Sequence, residues 1–248
     1  MTREIPWTSE ITEFRKDGLV TRGIDQATII NDFRYEEMVF LLLFGRKPTA
    51  IEADLLRAVI VSHCSHGITG QSTLAVRMGA DTRAPFLNSA LAGFLVGFGA
   101  FHQGALQASM DMLEEAVATN NVEKYVRDRI ASGRIIYGYG HRYHRSKDPR
   151  AVTLMKLCDS HCYVKTYVRA AQEIEKITGP EHGRFMNIEA AGGSILLDMG
   201  FPAEVAPLII IVGRAPMFAA AYLERLRSGS KPFQRIKVYD VVQEKGKK

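Results

Sequence analysis

Apolar residues recur at intervals of three and four along most of the chain, the spacing of helices that bury one face. This pattern predicts helices over 35–44, 49–62, 84–100, 105–118, 121–132, 148–161, 164–177, 185–199, 203–213 and 215–228. The first 33 residues differ and carry two short β-like pieces around Gly18 and Gly23. Ile236, Val238 and Tyr239 suggest a terminal extended segment. Thr49 followed by Glu52 is a capping-box signature ahead of an apolar run. Gly45, Gly179, Gly200 and Gly229 stand where helices should stop. Pro202, Pro207 and Pro216 mark starts or kinks. The expected fold class is therefore all-α. With no internal repeat or low-complexity linker in view, we expect a large helical domain from 1–102 and 186–248. A smaller helical lobe would occupy 103–185, between two glycine-rich helical regions.

The uncharged run from Ala84 to Phe101 reaches membrane-span length, but it contains Pro85, Asn88, Ser89 and three glycines. We read it as a buried helix packed closely against others. No signal-peptide core is expected, since Met1 to Glu10 has no apolar stretch.

At 248 residues with 46% hydrophobic and 24% charged content, the chain can bury a large core. Cys64, Cys158 and Cys162 make no disulfide framework in a chain this long, so a reducing cytoplasm is expected. Neither Cys158, His161 and Cys162 nor His63 and His66 have the spacing of a zinc site, and no metal is expected. The net charge of +5 admits nucleic acid, an anionic membrane surface or a small anionic ligand. Basic residues are spread along the chain; only Lys245 to Lys248 form a small run, which argues against nucleic acid or membrane as partner.

Chemistry concentrates in five segments. The densest is GHRYHRSKDPR, Gly140 to Arg150, which places His141 among Arg142, Arg145, Lys147 and Arg150. Clustered guanidinium groups beside one imidazole suit a polyanion. Asp148-Pro149 signals a helix start, whose N-terminus also favours anions. A solvated basic loop is the plainer alternative. HCSHGITGQST (63–73) holds His66, FHQGALQ (101–107) holds His102, MNIEAAGG (186–193) holds Glu189, and VGRAP (212–216) holds Arg214. Taken singly, His66 reads equally as a helix C-cap, His102 as a core histidine and Glu189 as a helix-dipole partner. Arg214 in an apolar stretch is harder to dismiss, because a buried guanidinium needs an anion.

In this order, these segments resemble the citrate synthase superfamily, most closely its short members, the citryl-CoA lyases and the lyase module of ATP-citrate lyase. The resemblance runs from about Gly18 to Tyr239 and includes VTRGIDQATIINDFRYEEMVFLLLFGRKPT, residues 20–49. It implies a CoA-dependent carbon–carbon lyase that cleaves citryl-CoA to acetyl-CoA and oxaloacetate through an enol or enolate. Citrate or 2-methylcitrate synthase is the alternative, and a non-catalytic CoA-binding paralogue is a third reading. On this resemblance Glu189 exchanges the α-proton, His102 supports the thioester oxygen, and His141 serves the alcohol oxygen. His66, Arg150, Arg214 and Arg235 would bind the carboxylate-bearing fragment, Arg235 reaching into a neighbouring subunit's site. Arg142, Arg145 and Lys147 would face the phosphates of coenzyme A, a substrate rather than a tightly bound cofactor. A cytoplasmic homodimer or higher even oligomer is implied.

The chain departs from the family pattern in three places. Glu189 stands where aspartate is usual, although Asn187 and Ile188 before it match. After His102 the chain reads Gln103-Gly104-Ala105-Leu106, an ending closer to the lyases. Ala215-Pro216-Met217 and Ala219-Ala220-Ala221 replace the small or aromatic residues and the later histidine that usually follow Arg214.

Overall fold

A tight hairpin opens the described chain. The computed structural model describes residues 8–16, 18–99, 102, 104–141 and 146–229. Strand β1 (Thr12–Arg15) pairs antiparallel with β2 (Gly18–Thr21), and β2 with β3 (Ile24–Asp25), in the order β1-β2-β3. Thr12 faces Thr21 and Val20 faces Asp25. Between β2 and β3, Arg22 (φ 48°) and Gly23 (φ 81°) both take left-handed conformations, as a two-residue hairpin turn demands. Asp25 then ends the sheet and caps α1 (Gln26–Asp32), its Oδ1 accepting from the Thr28 N–H at 2.9 Å. Helix α1 falls among residues where the sequence pattern predicts only β-like pieces; at seven largely polar residues it is too short to show a period.

Ten further helices follow among the described residues: α2 (Tyr35–Phe44), α3 (Ala50–Ser62), α4 (Gln71–Asp81), α5 (Phe86–Gly97), α6 (Ala105–Ala118), α7 (Val122–Ala131), α8 (Pro149–Ser160), α9 (Thr166–His182), α10 (Ile188–Asp198) and α11 (Ala206–Arg227). The expected capping box forms at α3: Glu52 N–H donates to Thr49 Oγ1, and Thr49 N–H to the Glu52 carboxylate. The fold class expected from sequence holds.

Helix α4 went unpredicted because Gln71, Ser72, Thr73, Gly79 and Asp81 dilute its apolar face. Helix α9 runs through Gly179 and Pro180 and stops instead at Gly183, which takes φ 63°. Gly179 serves packing, not termination: a Cβ there would lie 2.9 Å from the Phe185 ring. The two C-terminal helices expected at 203–213 and 215–228 are one, with Pro216 in its interior. An interior proline costs about 3 kcal/mol. Burial of Ile209, Ile210, Phe218 and Ala221 on both sides of it offsets that cost. The expected extended segment at Ile236 to Tyr239 lies outside the described residues.

The core is organised around α10, whose residues 190–197 are all buried. A helix apolar on every side belongs in the middle of a protein, and α3, α6, α8 and α9 pack around it. A second, smaller cluster of Val76, Ala90 and Phe218 joins α4, α5 and α11. There α5 approaches through small residues: a Cβ on Gly93 would meet Val76 Cγ2 at 2.6 Å and the Phe218 ring at 2.9 Å. The expectation of a buried helix here is corrected in one respect. Helix α5 buries Ser89, Ala90, Gly93 and Gly97 but exposes Leu87, Leu91, Leu95 and Val96. By length and composition, Ala203–Arg227 is apolar enough to cross a membrane; here it packs on α3, α4, α5 and α6.

Candidate active site

Four helices begin, and one ends, at a common cavity. Helix α3 ends at His63, and the loop after it carries His66 before Gly70 starts α4. His102 lies in the turn before α6. Asp148 caps α8, with Pro149 and Arg150 in its first turn, and Asn187 caps α10, with Glu189 in its first turn. These segments, with His141 and with Arg214 from the middle of α11, line a cavity of about 270 Å³. Gly70, Gln71, Ala105, Arg150, Ile188 and Glu189 all lie on its wall at helix starts, so the partial positive ends of α4, α6, α8 and α10 border the cavity.

Of the residues singled out from sequence, His66, His102, His141, Arg150, Glu189 and Arg214 meet here. Lys147 does not line the cavity; its Nζ lies 4.0 Å from Glu175 Oε2, with the side chain more than half exposed. Arg142, Arg145 and Arg235 lie outside the described residues. Sequence reading passed over His63, Thr69, Gln71, Ser72, Asp148 and Asn187 as site residues. Nothing in the local sequence marks Ser72, which reaches His102 Nε2 at 3.1 Å across 30 residues. Asp148 carried a signal as a helix cap, but it also holds Arg150. Its Oδ1 accepts from Arg150 N–H (2.9 Å) and Nε (3.1 Å), and its Oδ2 from Nη2 (2.7 Å). The guanidinium is thereby fixed in direction, with Nη1 outside the pair.

Burial sets the electrostatics. It pushes the His66 imidazole down to about 3, with Arg214 and His102 adding to the effect. His66 is therefore neutral at pH 7, not the imidazolium cap that sequence allowed. It stacks on His102 with ring centroids 5.5 Å apart, and Gly70 makes room, since a Cβ there would lie 2.6 Å from His66 Nε2. His63 falls to about 4 through burial, and its Nδ1 sits 2.8 Å from the Val59 carbonyl oxygen. Burial raises the Glu189 carboxyl, against the pull of its own backbone N–H and of Arg150. Arg214 comes down to about 10 through burial and the charge of Arg150. Burial also works against the Asp148 carboxylate, but hydrogen bonds from Arg150 hold it below its usual range.

Several polar atoms here are buried without a protein partner: Nε and Nη1 of Arg214, both ring nitrogens of His66, and Nε2 of His63. Buried donors left unpaired cost about 1–3 kcal/mol each, so the site suits an anionic ligand with several oxygens. Two guanidinium groups, neutral imidazoles and one carboxyl with a raised pKa can bind carboxylates and move protons. Among the described residues no group of three or more His, Cys, Asp or Glu side chains is arranged to hold a metal ion.

Comparison with known proteins identifies the family. Residues 21–236 match the family described as citrate synthase, C-terminal domain. A citrate synthase from Synechocystis sp. is 26% identical over 230 residues, covering 89% of this chain and 57% of that protein. The chain thus spans less than three fifths of that relative's length. Among solved structures, citryl-CoA lyase from Hydrogenobacter thermophilus superposes with a TM-score of 0.87 at 27% identity, covering 98% of this chain and 96% of that one. ATP citrate lyase from Methanothrix soehngenii, in complex with citrate and coenzyme A, shares the fold with a TM-score of 0.88 at 17% identity. It covers all of this chain and 43% of its own.

Proposed function

Because the chain belongs to the citrate synthase family of enzymes, we propose that it cleaves citryl-CoA, or a close analogue, to acetyl-CoA and oxaloacetate. The cavity carries this reading: one carboxyl, four imidazoles and two guanidinium groups converge on it. The near end-to-end match with a citryl-CoA lyase favours cleavage over condensation.

In this reading His141 takes the proton of the tertiary alcohol, and the bond between the alcohol carbon and the thioester α-carbon breaks. The electron pair moves toward the thioester oxygen, where His102 donates a hydrogen bond. Ser72 Oγ lies 3.1 Å from His102 Nε2, and a hydroxyl proton given to Nε2 would leave the imidazole proton on Nδ1, the tautomer able to donate to that oxygen. Glu189, whose pKa burial raises, delivers a proton from its acid form to the α-carbon and completes acetyl-CoA. Arg150, aimed by Asp148, joins Arg214 and His66 in holding the carboxylates of the oxaloacetate fragment. Lys147, with Arg142 and Arg145, would meet the coenzyme A phosphates, and Arg235 a neighbouring site. Movement of the lobe at 103–185 would exclude water from the enol.

Helix α5 supports an even oligomer, a homodimer at the least. Leu87, Leu91 and Leu95 recur every four residues and are exposed, Leu95 by 80%, with Leu74 and Met78 of α4 also exposed. A stripe this apolar calls for a cover, and a second copy of the same face supplies one. A cytoplasmic location fits the free thiols.

Release of oxaloacetate from citryl-CoA, compared between the parent and Glu189→Gln, tests the reading. We expect release by the parent and loss of about 100-fold or more in the variant. No release by the parent would overturn it. The curated relatives named citrate synthase keep condensation as a second reading, and citrate formation from acetyl-CoA and oxaloacetate would select it. Retained CoA binding without turnover in either assay would select a non-catalytic paralogue.

A further inference from the structure

Beyond the groups that would face substrate, we propose that Asn187 is a positioning residue that sets the distance between His141 and Glu189. The inference rests on the proton-transfer roles proposed above for those two side chains.

The geometry lies in two short segments that meet beside the cavity. Gly140 N–H donates to the Phe185 carbonyl at 2.7 Å, and Asn187 N–H donates to the Gly138 carbonyl at 2.9 Å. Tyr139 and Met186 form an antiparallel bridge between them. The Asn187 side chain adds one more bond between the segments and one to the first turn of α10. Its Nδ2 donates to the Gly140 carbonyl at 2.8 Å, and its Oδ1 accepts from the Glu189 N–H at 3.0 Å. Only this orientation of the amide satisfies both neighbours, because a carbonyl cannot donate and an N–H cannot accept.

One planar amide therefore holds the peptide immediately before His141 at one end and the backbone of Glu189 at the other. The chain leaves little other freedom at this junction. Gly138 (φ 83°) and Gly140 (φ 94°) are both left-handed, and a Cβ on Gly138 would lie 2.5 Å from Ala190 Cβ and Ser109 Oγ. The loop bearing His141 is thus pressed against α10 at Gly138 and tied to it at Gly140. The imidazole that works on the alcohol oxygen and the carboxyl that works on the α-carbon must act on atoms only two bonds apart, both attached to the alcohol carbon. Their separation matters on the scale of 1 Å, worth about 100-fold in rate.

Asn187 is also the N-cap of α10, so a merely structural role has to be separated from positioning. Asn187→Ser does this. Serine caps a helix about as well as asparagine but is too short to reach both Glu189 N–H and the Gly140 carbonyl. We expect a thermal midpoint within about 4 °C of the parent, a fall in kcat on the order of 100-fold, and a change in KM for the CoA ester below about 3-fold. A serine variant with parental kcat would overturn the proposal, as would one whose KM and midpoint collapse together. Should serine prevent folding, Asn187→Asp keeps the cap and the shape while losing the donor, and the same split in kcat and KM is expected.

A second readout stands apart from turnover. The chain has seven histidines, so the His141 ring signal can be assigned by difference from His141→Gln and titrated by NMR in the ligand-free protein. The His141 midpoint should move in Asn187→Ser, and an unmoved midpoint would overturn the proposal. If the parent releases no oxaloacetate yet the midpoint moves, the functional reading fails while the positioning role stands.

Discussion

Replacing Arg214 with methionine should stabilise the ligand-free protein and at the same time abolish its response to citrate, a tricarboxylate. Arg214 is 4% exposed, and its Nε and Nη1 have no protein partner. Burial and the Arg150 charge bring its pKa from 12.5 to about 10. At about 1.4 kcal/mol per pKa unit, the site disfavours the charged side chain by about 3 kcal/mol. Two unpaired buried donors at about 1–3 kcal/mol each point to the same scale. The Glu189 carboxylate returns part of this cost, since its charge favours the guanidinium. Methionine has similar length and no charge, so the variant should gain about 1–3 kcal/mol. For a chain of this size that raises Tm by about 2–12 °C.

Ligand supplies the opposing arm of the experiment. Citrate at 100 times its Kd should stabilise the parent by about 2.7 kcal/mol, because its carboxylates satisfy the donors that burial leaves open. The variant should show no citrate-dependent shift. Thermal denaturation of both proteins, with and without citrate, reads all four quantities. A variant that melts lower than the parent and still shifts with citrate would refute the reasoning and make Arg214 a structural ion.

Five further outcomes are expected elsewhere in the structure. Glu189→Asp withdraws the carboxyl by one methylene and should lower kcat on the order of 100-fold. In the parent, cleavage uses protonated Glu189 and should slow as pH rises through its raised value, whereas α-proton exchange from acetyl-CoA should slow as pH falls through it. Glu52 is held at about 2, chiefly by its hydrogen bond from Arg46. That value lies below the ordinary 4.5, so its stabilisation is present above about pH 4.5 and is lost as pH falls toward 2. Glu52→Gln should therefore cost about 1–2 kcal/mol at pH 7, a difference that denaturant titrations should see close at low pH. Gly70→Ala drives a methyl group against His66 Nε2 and should cut turnover at least about 10-fold, with the His66–His102 stack lost in a structure of the variant. Leu91→Glu with Leu95→Glu should halve the mass seen by sedimentation; an unchanged mass would place the oligomer interface elsewhere.

Local sequence largely determined the helices and the types of side chain that do chemistry. Thr49 and Glu52 announced α3, and Asp148-Pro149 announced α8, because caps act within four residues of themselves. The sequence pattern announced a helix over 185–199, but its central place came only from the structure, where residues 190–197 are all buried. His66, His102, His141, Arg150, Glu189 and Arg214 were legible because each breaks an apolar or glycine-rich context, and their order carried the family resemblance. Helix α4 was not legible, because its buried face is built from Ser72, Thr73, Val76 and Ala80, which show no hydrophobic period. The continuity of α11 was hidden by Pro216, whose local preference was outweighed by burial on both sides.

Tertiary structure alone decided the distances and the charges. Ser72 meets His102 across 30 residues and Asn187 meets Gly140 across 47, separations at which no local rule operates. The pKa directions belong to the fold as well. Glu189 rises and His66 falls because packing removes water from both, and sequence records which side chains can ionise but not how much water each one keeps.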